Sequence, residues 1–327
     1  MDAACIAPED PDFRGELASD STEFHVVNAL RNLGHEVCIL GVKDNVQTFV
    51  STLQEQAPKI VFNLTEEFRG NRRLDSNIAA VLEMLDIPFT GSGSLGLLLC
   101  RGKGLSKQLL SLRKIRVPGF ATFAPGKSMH VPKHLRYPMV VKPIYGDGSD
   151  GIANASLVKD ENALKERVQM VHERWKQPAI IEEYINGREL YVGVLGNRRL
   201  TVLPPRELFF KNVGENGEGP VLATYRAKWD DEYQKKWGIE FGYAKLEPTV
   251  MTRIARVCKK VYRALQIHDY GRLDLRLTPE NRIVIMEANA NPDVAYGEEL
   301  AESAAKIGLD YETFIDRILR SALRRNG

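Results

Sequence analysis

Along the first hundred residues, apolar positions switch between helical and strand spacing. Phe24, Val27, Leu30 and Leu33 recur at helical intervals, with Ser21 or Asp20 placed to cap the start and Gly34 to end the helix. EVCIL and KIVFNL are short apolar runs bounded by polar residues, as strands are, and VQTFVSTLQEQ and NIAAVLEML between and after them carry helical spacing. A weaker first strand is expected at AACIAP, which ends in Pro8. This alternation predicts a small parallel sheet with ligand loops at the carboxyl ends of its strands.

From about residue 102 the pattern changes. LSKQLLSLRK reads as a helix, followed by GFATF, a Pro-punctuated loop, a strand at MVVKP, the glycine-rich YGDGSDGIANAS, a long charged helix at ENALKERVQMVHERW, and strands at AIIEEYI, LYVGVLG and LTVLP. Residues 206–245 are polar and read as irregular. Helix VMTRIARVCKKVYRALQI, strands GRLDLRL and IVIMEAN, and a last helix at YETFIDRILRSALRR complete the chain.

Composition narrows the function. At 327 residues the chain is long enough for two or three domains, and 45 basic against 43 acidic residues give no overall pull toward nucleic acid or membrane. No apolar stretch reaches transmembrane length, and MDAACIAPEDPDF lacks the plan of a signal peptide. Cys5, Cys38, Cys100 and Cys258 fit no zinc spacing. A cytoplasmic protein is the expectation.

Four constellations carry candidate chemistry. Lys142 ends an apolar strand directly before a loop holding Gly146, Gly148 and Gly151, where backbone N–H groups and a point charge can hold phosphate. Glu182, Glu183 and Glu189 flank apolar residues, and a buried carboxylate needs partners. Arg272, Asp274 and Arg276 alternate along one strand face, and Glu287 and Asn289 share a face of another that stops before Pro292. Asp274, Glu287 and Asn289 are therefore candidate oxygen ligands for Mg2+, with Arg272 placed to steady developing negative charge. Lys103 and Lys107 at a helix start oppose the macrodipole unless an anion lies near. Taken singly, each motif also admits a plainer reading: a hairpin turn, solvated charges beside a hairpin, an ion-pair ladder, a solvated helix face.

The order of these motifs resembles that of the ATP-grasp enzymes. TGSG, GKGLSK, VVKP, EEYINGRE, GRLDLRL and EANANP look like those of the D-alanine–D-alanine ligase family, from about residue 60 to the C-terminal helix. The resemblance implies a mixed α/β (α+β) chain with the ATP-grasp fold in three domains, 1–101, 102–185 and 186–327, with ATP held between the central and C-terminal ones. It implies Lys103 and Lys142 on phosphate, with Gly148 and Ser149 in the glycine loop. Glu182, Glu183 and Ile185 would form the hinge around adenine, and Glu189 would bind ribose. Lys228 would reach the γ-phosphate from a mobile loop, and Arg272 would stabilise a tetrahedral intermediate. Asp274, Glu287 and Asn289 would hold two Mg2+, with Mn2+ as a substitute. The reaction implied joins small amino-acid or carboxylate substrates through an acyl phosphate, and a homodimer follows from the family's tendency to dimerise.

The departures from the family pattern fall where substrates would be chosen. The family's GG-S-x-E-type start has no match in APEDPDFRGELASDS. A loop serine falls at Gly148, and a tyrosine after the loop lysine at Trp229. A Pro-Gly-Met-Thr run becomes Pro292-Asp293-Val294-Ala295, and a serine for the second D-alanine's carboxylate falls at Glu298. Glutamate repels a carboxylate and suits an amine or hydroxyl. The expectation is thus a carboxylate–amine ligase on substrates other than two D-alanines. The alternatives are an ATP-grasp kinase that stops at phosphoryl transfer and a nucleotide-binding protein without turnover.

Overall fold

A computed structural model describes residues 21–146, 151–212, 222, 224, 226–227 and 230–326. Helix α1 (Thr22–Asn32) begins where expected, with Ser21 Oγ accepting the Phe24 N–H at 3.1 Å, and Gly34 follows its end at φ +83°. Helices α2 (Val46–Gln56) and α3 (Asp75–Met84) also match their apolar spacing. Helix α4 (Ser94–Arg101), between Gly93 and Gly102, was not anticipated.

The small parallel sheet does not form among the described residues. Residues 36–40 pair with no strand, and residues 60–64 make a single parallel bridge, Val61 to Phe89. The apolar residues there are spent on packing instead: Val37, Ile60, Phe62 and Leu64 lie against the cluster around Phe314 and Ile318. AACIAP lies outside the described residues.

Beyond Gly102 the chain builds two antiparallel sheets. Helix α5 (Lys103–Leu112) leads into a four-stranded sheet of β1 (Phe120–Phe123), β2 (Met139–Pro143), β3 (Leu157–Val158) and β4 (Ala179–Glu183), in the order β1-β4-β2-β3. Helix α6 (Glu161–Trp175) covers it, burying Leu164, Val168 and Val171 against Met139, Val141 and Ile181. The second sheet comprises β5 (Arg188–Leu195), β6 (Thr201–Val202), β7 (Arg206–Phe210), β8 (Ile239–Tyr243), β9 (Tyr270–Leu277) and β10 (Ile283–Asn289). Its order is β10-β9-β5-β7-β8, with β6 beside β5.

Residues 206–245, read as irregular, thus contribute two strands and helix α7 (Asp231–Trp237). Asp230 Oδ1 caps α7 by accepting the Tyr233 N–H at 2.9 Å, and Leu208, Tyr233 and Ile239 form a small cluster with Tyr191. These apolar residues are too scattered among charges to give a period.

Helix α8 (Pro248–Ala264) covers one face of the larger sheet. Val250, Ile254, Cys258 and Val261 recur at helical spacing and meet Leu190, Val192, Leu273 and Leu275 in the main core. On the opposite face of β5 and β9, Leu195 and Tyr270 pack at one end with Leu300 and Phe314, and the rest carries Glu189, Tyr191, Arg272, Asp274 and Arg276. Helix α9 (Glu299–Ala305), also unanticipated, and α10 (Tyr311–Asn326) complete the described chain. Among the described residues no helix is long and apolar enough to cross a membrane.

Candidate active site

One sheet face collects most of the expected site. Across β5 and β9 the register pairs Glu189 with Arg276, Tyr191 with Asp274, and Gly193 with Arg272. Across β9 and β10 it pairs Glu287 with Asp274 and Asn289 with Arg272. Side chains two apart on a strand share a face, so these groups form a patch opposite the core.

A β-bulge makes this possible. Ile283 and Ile285 face the core, and simple alternation would send Glu287 and Asn289 after them. The register shifts between Ile285 and Glu287, so Met286 is the extra residue. Past the bulge the parity is inverted: Ala288 and Ala290 join the core, and Glu287 and Asn289 turn to the polar face.

Cations occupy the candidate ligands. Arg272 grips Asp274 with a two-point fork, Nε to Oδ1 at 2.9 Å and Nη2 to Oδ2 at 3.2 Å, and its Nη1 donates to Glu299 Oε2 at 3.2 Å. Burial opposes the guanidinium charge, but Asp274 and Glu299 outweigh it and hold its pKa well above the ordinary value. Lys103 donates to Glu287 and to the Gly146 carbonyl. Asn289 Oδ1 accepts the Asn291 N–H at 3.0 Å. Glu189 is held by Arg276 and by the Tyr191 hydroxyl, the latter at 2.8 Å.

The four-stranded sheet supplies the rest. Val140 pairs with Glu182, which puts Lys142, two residues on, diagonally beside that carboxylate. Glu182 is 0% exposed, with Lys142 Nζ donating to Oε2 at 3.0 Å and Lys107 Nζ ion-paired to Oε1 at 3.1 Å. Burial would raise the Glu182 pKa, but the two ammonium charges and their hydrogen bonds win and hold it at about 2. Burial likewise opposes the Lys142 charge, yet Glu182 and Glu287 leave its pKa raised.

Not every expected residue reaches this cluster by its side chain. Glu183, next in β4, points to the other face, where Oε1 accepts the Arg136 N–H at 2.8 Å. Ile185 follows β4 in the connection to β5, half-buried. Gly148, Ser149 and Lys228, and Trp229 beside it, lie outside the described residues. Sequence reasoning gave no role to Glu299, and it set Lys107 beside Lys103 at a helix start without naming its partners. Glu299 gave no strong signal, but Lys107 had one: it falls four residues after Lys103, on the same helix face.

Two antiparallel sheets with lysines and carboxylates converging between them define the ATP-grasp fold, and solved structures share it. The D-alanine–D-alanine ligase of Bacillus anthracis, in a crystal structure complexed with ATP, superposes with a TM-score of 0.73 over 93% of this chain and 92% of that one, at 21% identity. The family described as D-ala D-ala ligase C-terminus matches residues 114–320. The chain belongs to the D-alanine–D-alanine ligase family, and so to the ATP-grasp carbon–nitrogen ligases. An uncharacterised protein of Sinorhizobium fredii, y4sG, is 32% identical over 97% of this chain and 90% of its own. The D-alanine–D-alanine ligase of Clostridium beijerinckii is 27% identical over 76% of this chain and 77% of its own.

Proposed function

We propose that the chain is an ATP-dependent carboxylate–amine ligase whose two substrates are not both D-alanine. The observation that carries the reading is the opposition of Asp274, Glu287, Asn289 and Arg272 on one sheet face to Lys103 and Lys142. Nucleotide would lie between residues 102–185 and residues 186–327, following residues 1–101, with Glu182 and the backbone of residues 183–185 at adenine and Glu189 at ribose.

The donor set fits Mg2+. It consists of hard oxygens, two of them carboxylates directly opposite in register, which Lys103 and Arg272 hold here and would share with the ion. When bound there, Mg2+ would neutralise the phosphates and polarise the transferring group. Lys103 and Lys142 would bind the phosphate chain and neutralise its charge. A carboxylate oxygen forms a bond to the γ-phosphorus as the bond to ADP breaks. The amine nitrogen then attacks the acyl carbon, Arg272 steadies the oxyanion, the carbon–oxygen bond to phosphate breaks, and the nitrogen loses a proton to solvent.

Glu299 and Glu298 support a change of acceptor. Arg272 has both sides of its fork engaged, by Asp274 and Glu299, and Glu298 directly precedes Glu299. An acceptor carboxylate beside two glutamates meets repulsion, whereas an amine or hydroxyl finds partners. The test is ADP and phosphate release with ATP and Mg2+ over a panel of acids and amines, with products weighed by mass spectrometry. Efficient D-alanyl-D-alanine synthesis overturns the substrate reading. Hydroxylamine in place of the amine traps an acyl phosphate as a hydroxamate, and no hydroxamate with any acid overturns the ligase reading.

A further inference from the structure

Helix α5 presents Lys103 and Lys107 one turn apart on the same face, and each lysine spans both sheets. Lys103 joins the Gly146 carbonyl, just past β2, to Glu287 on β10. Lys107 joins Glu182, on β4, to the carbonyl of Met286, also on β10. Lys103 belongs to the phosphate site already proposed, but Lys107 has no such role. It is 2% exposed, deep beneath the site, where a charge is costly unless its partners justify it.

Those partners are both parts of the nucleotide machinery. Glu182 is the buried carboxylate of the adenine hinge. Met286 is the bulged residue whose insertion turns Glu287 and Asn289 outward, and the extra residue of a bulge falls out of the ladder. An ammonium on its carbonyl fixes the bulge where the strand cannot.

We propose that Lys107 is a positioning residue that ties the adenine-hinge carboxylate Glu182 to the Met286 bulge, so that the adenine end and the metal end of the nucleotide site are set by one side chain. The proposal rests on the ATP reading above and deepens it. Removing the ammonium frees one oxygen of Glu182 and releases the bulge, so nucleotide and metal sites loosen together, although Lys107 touches neither ligand.

The test uses the full chain with ADP and Mn2+ as probes, reading ADP affinity by calorimetry without metal and Mn2+ affinity of the ADP complex by electron paramagnetic resonance. Lys107→Met is expected to weaken both by about tenfold or more, the range seen when an outer partner of a metal ligand is lost. A lower Tm with both affinities within about twofold of the unaltered chain overturns the proposal, because a structural lysine would give that result. Lys107→Met leaves a buried carboxylate short of a partner and can fail to fold, so the double variant Lys107→Met/Glu182→Gln is compared with Glu182→Gln alone. Weaker Mn2+ binding in the double variant supports the tie to the bulge, and equal binding overturns it. If the unaltered chain binds neither probe, the ATP reading fails and takes this one with it. If it binds both and Lys107→Met changes neither, only the role of Lys107 fails.

Discussion

Glu287 stands directly across the β9–β10 ladder from Asp274. Two carboxylates at that separation repel unless a cation is shared between them or each has its own, and here Arg272 and Lys103 perform the second service. The arrangement gives Glu287→Gln a clear consequence. The amide keeps the volume and one acceptor oxygen but loses the charge, so turnover falls by on the order of 100-fold or more while the fold survives. Steady-state ADP release with parallel circular dichroism checks it, and near-normal ADP release refutes the metal assignment.

Arg272 forks onto Asp274, and its third contact is Glu299. Arg272→Met removes charge from the place where the oxyanion forms, which should lower kcat for amide formation by about 100- to 1000-fold. Trapping by hydroxylamine separates the steps. Hydroxamate, made by a stronger nucleophile, should fall less than amide if Arg272 acts after phosphoryl transfer, and an equal fall places its action earlier.

Acceptor choice should follow Glu298 and Glu299. In Glu298→Ser/Glu299→Leu the repulsion of a carboxylate-bearing acceptor is relieved, so its kcat/KM should rise relative to that of an uncharged amine by about tenfold, roughly 1.4 kcal/mol. Competition between the two acceptors in one reaction, with products counted by mass spectrometry, gives the ratio directly. An unchanged ratio removes these residues from the acceptor pocket.

Much of this site was legible because motif order survives even where single motifs are weak. VVKP, EEYINGRE, GRLDLRL and EAN lie on the strands or strand ends expected of them, and alternation alone put Arg272, Asp274 and Arg276 on one face. The same rule fails silently at β10. Ile283, Ile285, Glu287 and Asn289 share one parity, and only the bulge at Met286 separates core from site. A bulge leaves no mark in periodicity when the residue inserted is itself apolar. Residues 36–40 show the opposite failure. Their β-forming composition predicted a strand, and none forms, because ladders need a partner, which composition does not report. Glu299 matters through a contact far along the chain, and such a contact has no local signature.

The Glu182 carboxyl predicts a pH dependence. Its folded pKa, about 2, lies below the ordinary value of 4.5, so between those values the unfolded chain binds the extra proton and stability rises with pH. The contribution is fully present above the ordinary value and is lost as the pH falls toward 2. Urea unfolding of the unaltered chain should therefore weaken more steeply than that of Glu182→Gln over this window. Parallel pH profiles would show that Lys107 and Lys142 do not hold the carboxylate ionised.

Gly193 faces Arg272 across the β5–β9 ladder, and its missing side chain is what admits α9. A Cβ there would come within 2.4 Å of Leu300 Cδ1 and 2.8 Å of Leu203 Cδ1, both in a packed cluster with Phe314. Gly193→Ala must therefore turn the Leu300 and Leu203 side chains within that cluster, and the strain is expected to reach Glu299, the residue before Leu300. Overpacking of this kind costs about 1–3 kcal/mol, which chemical denaturation will read. The functional expectation is sharper than the loss of stability. Because Glu299 holds one edge of Arg272, Gly193→Ala should slow amide formation more than hydroxamate formation, as a weaker copy of Arg272→Met. Equal slowing of both would mean that the Arg272–Glu299 contact does not bear on the second step.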